Sequence, residues 1–278
     1  MIYFSDAEID AFIAEDVPYF DLTAELLDIS GMAKIKFLAR DSGTICGIEE
    51  AASVCKKLGL DTIIHTSSGA KVTQNDMLLE ATGDSKAALK AWKPSQNILE
   101  YASAVATQTS AMIKVIEEVS CDIHFSTTRK SIPKTKKLAL KGVLCGGGYA
   151  HRLGLSESVL IFAQYVALAN MSLEECIKMA KAKTKEHKIA VEVKNIEDAI
   201  TATRAGADIV QCDKFTTEEL SKTVNEIKNI NNNATIIATG GINLQNVSSY
   251  AKSHPDIIVS SSVYYSKPFD IKVILSPA

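Results

Sequence analysis

A basic cluster, two separated carboxylates and a glycine pair are the residues in this chain whose types and spacing can do chemistry. Thr128, Arg129 and Lys130 stand in TTRKSIPKTKK, with Lys134, Lys136 and Lys137 close behind. Guanidinium and ammonium groups hold phosphate or carboxylate through charge-assisted hydrogen bonds. Glu192 in KIAVEV and Asp213 in QCDK bring hard oxygen donors suited to Mg²⁺, or acceptors for ribose hydroxyls. Thr239, Gly240 and Gly241 precede a helix expected to begin near Asn243, where backbone N–H groups are available to an anion. Ser261 and Ser262 follow the last apolar run and add hydroxyls. This set describes a site for a phosphorylated sugar and a divalent metal. Each part has a plainer reading alone: a solvated turn, a tight turn, a buried ion-pair partner. Their joint placement at strand ends favours the site.

The tract GGGYAHR (146–152) is a second cluster. Three glycines suggest a phosphate loop, but no G-K-[ST] follows, so a nucleoside-triphosphate site is poorly supported. His151 and Arg152, after a flexible turn, can reach an anionic substrate; a mobile surface pair is the alternative.

The elements that must position these groups are legible as a pattern. Short apolar runs recur as CDIHFS, ESVLIF, KIAVEV, ADIVQC, ATIIAT and DIIVS, most of them separated by amphipathic helical stretches. That alternation implies a parallel sheet covered by helices. An open doubly wound sheet needs a glycine-rich fingerprint after its first strand, and none is there, so a small α/β barrel is favoured. Chemistry in such barrels gathers after the carboxyl ends of the strands, where the basic cluster, the two carboxylates, the glycine pair and the serines fall. Before residue 95 the chain reads as a mixed α+β layer, and a long helix opening at Ser95 after Pro94 links the halves.

Composition excludes several classes. The 278 residues carry 30 Lys+Arg and 33 Asp+Glu, a formal charge of −3, so a nucleic-acid footprint is not expected. No apolar run reaches the roughly 20 residues of a membrane span, and the acidic start is unlike a signal peptide. Six scattered cysteines without C-x-x-C read as a reduced, cytoplasmic protein with no disulfide framework.

These motifs carry a resemblance. TTRKSIPKTKKL with GGGYAHRLGLSESVLI resembles the T-R-K-T-x-P-G and G-G-x-x-x-H-R-x-G-L signatures of the quinolinate phosphoribosyltransferase family, the carboxylating nicotinate-nucleotide pyrophosphorylases. DLTAELL (21–27), VEVKNIEDAITATRAGADIVQCDKF and ATGGIN resemble further family segments, so the likeness covers nearly the whole chain. It implies an N-terminal α/β sandwich packed on an incomplete six-stranded α/β barrel. The corresponding boundaries are 1–105 for the sandwich, with 268–278 returning to it, and 106–267 for the barrel. It also implies phosphoribosyl pyrophosphate as co-substrate, Mg²⁺ as metal, and a homodimer with sites shared across its interface. By position, Arg129, Lys130, His151 and Arg152 match the family's basic substrate-binding residues, and Glu192 and Asp213 its acidic pair. Gly240 and Gly241 match its phosphate turn. Lys93 lies where the family usually has an arginine contributed across the interface.

The chain departs from that pattern where the family reads L-I-K-D-N-H. Here LIFAQY places Phe162 at the lysine position. SSSVYY also replaces the V-G-A-L-T-H stretch, and DKF replaces D-N-[MF]. These changes resemble the ModD branch, paralogues named as pyrophosphorylases and associated with molybdenum transport. Quinolinate carries two carboxylates, so losing the lysine points to a different, less anionic heteroaromatic acceptor. Two other readings are a Schiff-base barrel using Lys130 or Lys214, and a phosphosugar-binding regulator without turnover.

Overall fold

The computed structural model describes residues 2–278, which form two compact units. One comprises the residues up to Ser110 together with Ile132–Gly147 and Tyr264–Ala278; the other comprises Ala111–Ser131 and Gly148–Val263.

The first unit opens with α1 (Asp6–Asp16), started by a capping box in which Ser5 and Glu8 satisfy each other's backbone N–H groups, and with the short α2 (Leu22–Leu26). Strand β1 (Met32–Ala39) alternates strictly, burying Ala33, Ile35, Phe37 and Ala39 on one face. After β2 (Gly43–Thr44), helix α3 (Ile48–Lys57) buries Ala51, Ala52, Val54 and Cys55. Then come β3 (Asp61–Ile64), β4 (Lys71–Val72) and β5 (Met77–Asp84). β5 pairs antiparallel with β1 and β3, and the C-terminal strand Ile271–Pro277 closes the four-stranded sheet on the other side of β1.

Helix α4 runs from Ser85 to Glu117 with Pro94 inside it, so the start expected at Ser95 is ten residues too late. A proline in a helix interior forfeits a hydrogen bond and costs about 3 kcal/mol. Here the buried stripe continues through it: Ala88, Ala91, Ser95, Ile98, Leu99 and Ala102 keep helical spacing, and Ser95 Oγ donates to Ala51 O of α3 at 3.3 Å. Tertiary packing overrides the local signal. Helix α5 (Lys136–Cys145) joins this unit by packing on α4. Gly142 permits the approach, since a Cβ there would stand 2.8 Å from Ala102 O.

The second unit is a seven-stranded, all-parallel sheet. Its strands are β6 (His124–Thr127), β7 (Tyr149–Ala150), β8 (Val159–Ile161), β9 (Ile189–Val193), β10 (Ile209–Asp213), β11 (Thr235–Thr239) and β12 (Ile257–Ser260), in the order β7-β6-β12-β11-β10-β9-β8. β7 and β8 form the two edges and are not hydrogen-bonded to each other, so the sheet curls into an incomplete barrel. Six of these strands coincide with the apolar runs read from the sequence. β7 does not, because two residues carry no periodicity. The helices are α6 (Ala163–Ala169), α7 (Leu173–Lys183), α8 (Ile196–Arg204), α9 (Thr217–Ile230) and α10 (Val247–Ala251). Side-chain caps at Ser172, Asn195 and Thr216 define where α7, α8 and α9 begin. Among the described residues, no helix is long and apolar enough to cross a membrane.

Candidate functional site

Because every strand of the second unit runs the same way, their carboxyl ends meet along one rim, and the residues there line a cavity of about 860 Å³. Thr128, Arg129 and Lys130 enter it after β6, His151 and Arg152 after β7, and Phe162 after β8. Glu192 of β9 and Asp213 of β10 face it, as do Thr239, Gly240 and Gly241 after β11 and Ser261 and Ser262 after β12. Lys93 is not in its lining, and neither are Lys134, Lys136 and Lys137 of the basic cluster. Lys93 sits on α4 of the first unit, with Nζ 3.1 Å from Gln96 Oε1 and 4.6 Å from the centre of the Trp92 ring.

The acidic side of the cavity is built by cross-strand register. Gln211 of β10 lies opposite Glu192 of β9, and its Nε2 donates to Glu192 Oε2 at 2.7 Å. Asp213 lies two residues further along β10, on the same face. Burial, and then the charge of Asp213, push the Glu192 carboxyl above its usual range; Gln211, Lys194 and Lys130 pull the other way. A carboxylate pair so arranged gains from any cation placed beside it.

The basic side is strained in the opposite sense. Arg152 is 7% exposed, and its Nη2 donates to Ser158 O at 2.9 Å, yet Nε and Nη1 are buried without a protein partner. His151 Nε2 and Gln211 Oε1 are likewise buried without an aligned partner. Burial, helped by the Arg152 guanidinium and opposed by Gln211, holds the His151 imidazole below its usual range. A buried polar group left unpaired costs about 1–3 kcal/mol, more if charged. The two unpaired Arg152 nitrogens are donors open to an anion in the cavity.

The glycine turn is sterically required. Gly240 and Gly241 have φ of +92° and +74°, and a Cβ on Gly240 would stand 2.6 Å from Asp213 Oδ1 and 2.7 Å from Lys214 N. The helix expected from Asn243 starts only at Val247, and α10 has five residues. Asn243 and Asn246 compete with the helix: Asn246 Oδ1 accepts from Asn243 N at 2.8 Å, and Asn243 Oδ1 accepts from Gln245 N at 3.0 Å. The turn therefore offers backbone groups of a left-handed glycine pair rather than a helix terminus. Ser260 Oγ donates to Ile242 O at 2.5 Å and so ties the end of β12 to this turn.

Sequence reasoning overlooked Gln211, Tyr165, Leu168 and Asn243 as site residues and weighed Lys214 only as a Schiff-base lysine; all five are in the lining. Gln211 had a signal: an amide inside an apolar strand, two residues before Asp213. Tyr165 stacks on Phe162, with ring centres 6.2 Å apart at 23°, so the cavity has an aromatic wall where α6 begins. α6 was unreadable as a helix because AQYVALA has no polar face and none of its residues is buried. No group of three or more His, Cys, Asp or Glu able to hold a metal occurs among the described residues.

The model of the quinolinate phosphoribosyl transferase N-terminal domain matches residues 21–103, and that of its C-terminal domain matches 105–274. The chain belongs to the quinolinate phosphoribosyltransferase family. Within it, the chain is 35% identical over 278 residues to "Putative pyrophosphorylase ModD" of Pasteurella multocida, covering 99% of each protein. It is 30% identical to the "Probable nicotinate-nucleotide pyrophosphorylase [carboxylating]" of Methanocaldococcus jannaschii, over 90% of this chain and 89% of that one. The nicotinate-nucleotide pyrophosphorylase of Francisella tularensis superposes with a TM-score of 0.89 at 25% identity, covering 96% of this chain and 94% of that one. Membership makes the protein an enzyme of the phosphoribosyltransferase, pentosyl-transferring class, and removes the ground for a Schiff-base role of Lys130 or Lys214.

Proposed function

We propose that this phosphoribosyltransferase moves the 5-phosphoribosyl group of phosphoribosyl pyrophosphate onto the ring nitrogen of a heteroaromatic acid other than quinolinate, releasing pyrophosphate. The observation that carries this reading is the opposition, within one cavity, of unpaired buried Arg152 donors and the Glu192–Asp213 pair. Transfer of this kind builds positive charge on the ribose ring while negative charge grows on the departing pyrophosphate. Arg129 and Lys130 supply fixed positive charge for the leaving group. Glu192 and Asp213 supply negative charge to the ring side, and Gln211 keeps the Glu192 carboxylate in one orientation. Thr239, Gly240, Gly241, Ser261 and Ser262 receive the 5-phosphate through backbone N–H groups and hydroxyls. His151 and Arg152 hold the acceptor carboxylate, with the aromatic pair Phe162 and Tyr165 against the flat ring.

The donor set fits Mg²⁺. This ion is bound through one or two carboxylates with substrate phosphates and water completing its shell, and Glu192 with Asp213 offers two carboxylates whose mutual repulsion a cation relieves. When bound, it supplies charge neutralisation at the diphosphate.

We further infer a cytoplasmic homodimer in which Lys93 reaches the partner's site, supported by the family pattern at that position; sedimentation at enzymatic concentrations tests it, and full activity in a monomer overturns it. The function itself is tested by incubating the protein with phosphoribosyl pyrophosphate, Mg²⁺ and a panel of pyridine and other heteroaromatic acids. Pyrophosphate release with one of them supports the reading. No release with any acceptor, together with no calorimetric binding of the co-substrate, overturns it.

A further inference from the structure

Cys46 and Cys145 are 99 residues apart in the chain and meet inside the first unit, with their sulfurs 3.5 Å apart. Cys46 is buried ahead of α3, its backbone N–H donating to Ser103 Oγ at 2.9 Å, and Cys145 is the half-buried last residue of α5. Four residues earlier on α5, the Lys141 ammonium is buried and bonded to Glu49 at 2.7 Å and Glu50 at 2.5 Å. Neither cysteine lines the cavity of the second unit.

The other thiols have no such arrangement. Cys55 and Cys212 are buried, and burial pushes them up to about 11 and about 12 respectively, values of inert thiols. Cys121 is exposed and Cys176 half-buried. In the pair, the Cys46 S–H donates to the Cys145 sulfur; that bond, with the Lys141 charge and against burial, holds Cys145 below the usual thiol range, while the same bond together with burial, and against the Lys141 charge, holds Cys46 far above it. The two sulfurs also differ in access: Cys145 is half-buried and can meet a small oxidant, whereas Cys46 is fully buried behind it. Side-chain rotation has to close 3.5 Å to the roughly 2.0 Å of a sulfur–sulfur bond.

We propose that Cys46 and Cys145 form a redox-active dithiol site that a peroxide oxidises to a reversible disulfide, with Cys145 attacking and Cys46 resolving. The Cys145 thiolate attacks one peroxide oxygen, breaking the O–O bond and leaving a sulfenic acid and hydroxide, which a proton converts to water. The Cys46 sulfur then attacks the sulfenic sulfur, and its proton leaves with the hydroxyl as a second water. Two thiols lose two electrons in total, and one peroxide is reduced to two waters. A dithiol reductant reverses the step by exchange.

The full-length protein, treated natively with hydrogen peroxide, quenched and digested, is expected to yield a Cys46–Cys145 linked peptide that dithiothreitol removes. Loss of the Cys145 thiol should be about tenfold faster than loss of Cys121, the ordinary exposed thiol. Cys46→Ser should retain the first step, giving a dimedone-trapped sulfenic acid at Cys145 and no intramolecular link. Oxidation of Cys121 while Cys46 and Cys145 both remain alkylatable overturns the proposal. So does a link that forms only when the protein is oxidised in denaturant.

Discussion

Lys141 in the first unit and Arg152 in the second are buried cations, 3% and 7% exposed, with opposite surroundings. Lys141 is fully answered from within: Glu49 and Glu50 bond its ammonium, and Ser68 supports Glu49 through its hydroxyl and its backbone N–H. Burial alone would raise the Glu49 carboxyl, but Lys141 and Ser68 bring it down to about 2. Arg152 keeps one bond, to Ser158 O, and leaves two nitrogens unanswered beside a His151 Nε2 that lacks an aligned partner. The first arrangement spends its charge on holding helices together. The second leaves donors open toward the cavity. Buried charge therefore marks function here only where its hydrogen bonds are incomplete.

The sharpest way to break this contrast is to delete the answered cation. Lys141→Met leaves two buried carboxylates without a counter-charge and should destabilise the protein by about 3–5 kcal/mol in urea unfolding. A loss below about 1 kcal/mol would show that the cluster does not hold the first unit together. Arg152→Met should do the reverse. Its stability cost should stay near the about 1 kcal/mol of one lost hydrogen bond, while affinity for the heteroaromatic acid that serves as acceptor falls about tenfold to over a hundredfold by calorimetry. Unfolding comparable to Lys141→Met, with unchanged affinity, would erase the distinction.

Glu192→Gln sharpens it from the acidic side. The folded-state pKa of Glu192 is raised, so its contribution to stability is complete below about pH 4.5 and is lost as pH rises through the folded value. The amide removes that penalty. Turnover should drop sharply while thermal stability at pH 7 stays equal or rises; a lower melting temperature at pH 7 contradicts the assignment. The smallest effect concerns the aromatic wall. Phe162→Lys should raise quinolinate affinity by about tenfold, the worth of one charge-assisted bond. Unchanged binding of quinolinate would detach Phe162 from acceptor choice.

Much of this site was readable because parallel strands must end together. Once six apolar runs alternate with helices, Lys130, Glu192, Asp213 and Gly240 fall on one rim without further information. What escaped depends on contacts between distant residues. Gln211 is an amide in a strand until its register opposite Glu192 is known. Pro94 ends a helix by local rules and is overridden by a buried stripe running through Ser95. Asn243 begins a helix by propensity, yet its side chain prefers the neighbouring backbone. Strand β7 is created only by pairing with β6, at Ser126–Tyr149 and Thr127–Ala150.

The gap between β7 and β8 has a consequence for how this site can change over time. Gly240, Gly241, Ser261 and Ser262 follow β11 and β12, interior strands held by neighbours on both sides, so moving them breaks ladder bonds. Arg152 and Phe162 follow the two edge strands, of two and three residues, which bond a neighbour on one side only. Their separation can drift by side-chain replacement or loop adjustment while the sheet stays intact. An unclosed barrel thus partitions its rim into a fixed grip and an adjustable one, and short edges give little purchase for strand-to-strand aggregation. A fold of this kind can keep one donor and explore acceptors.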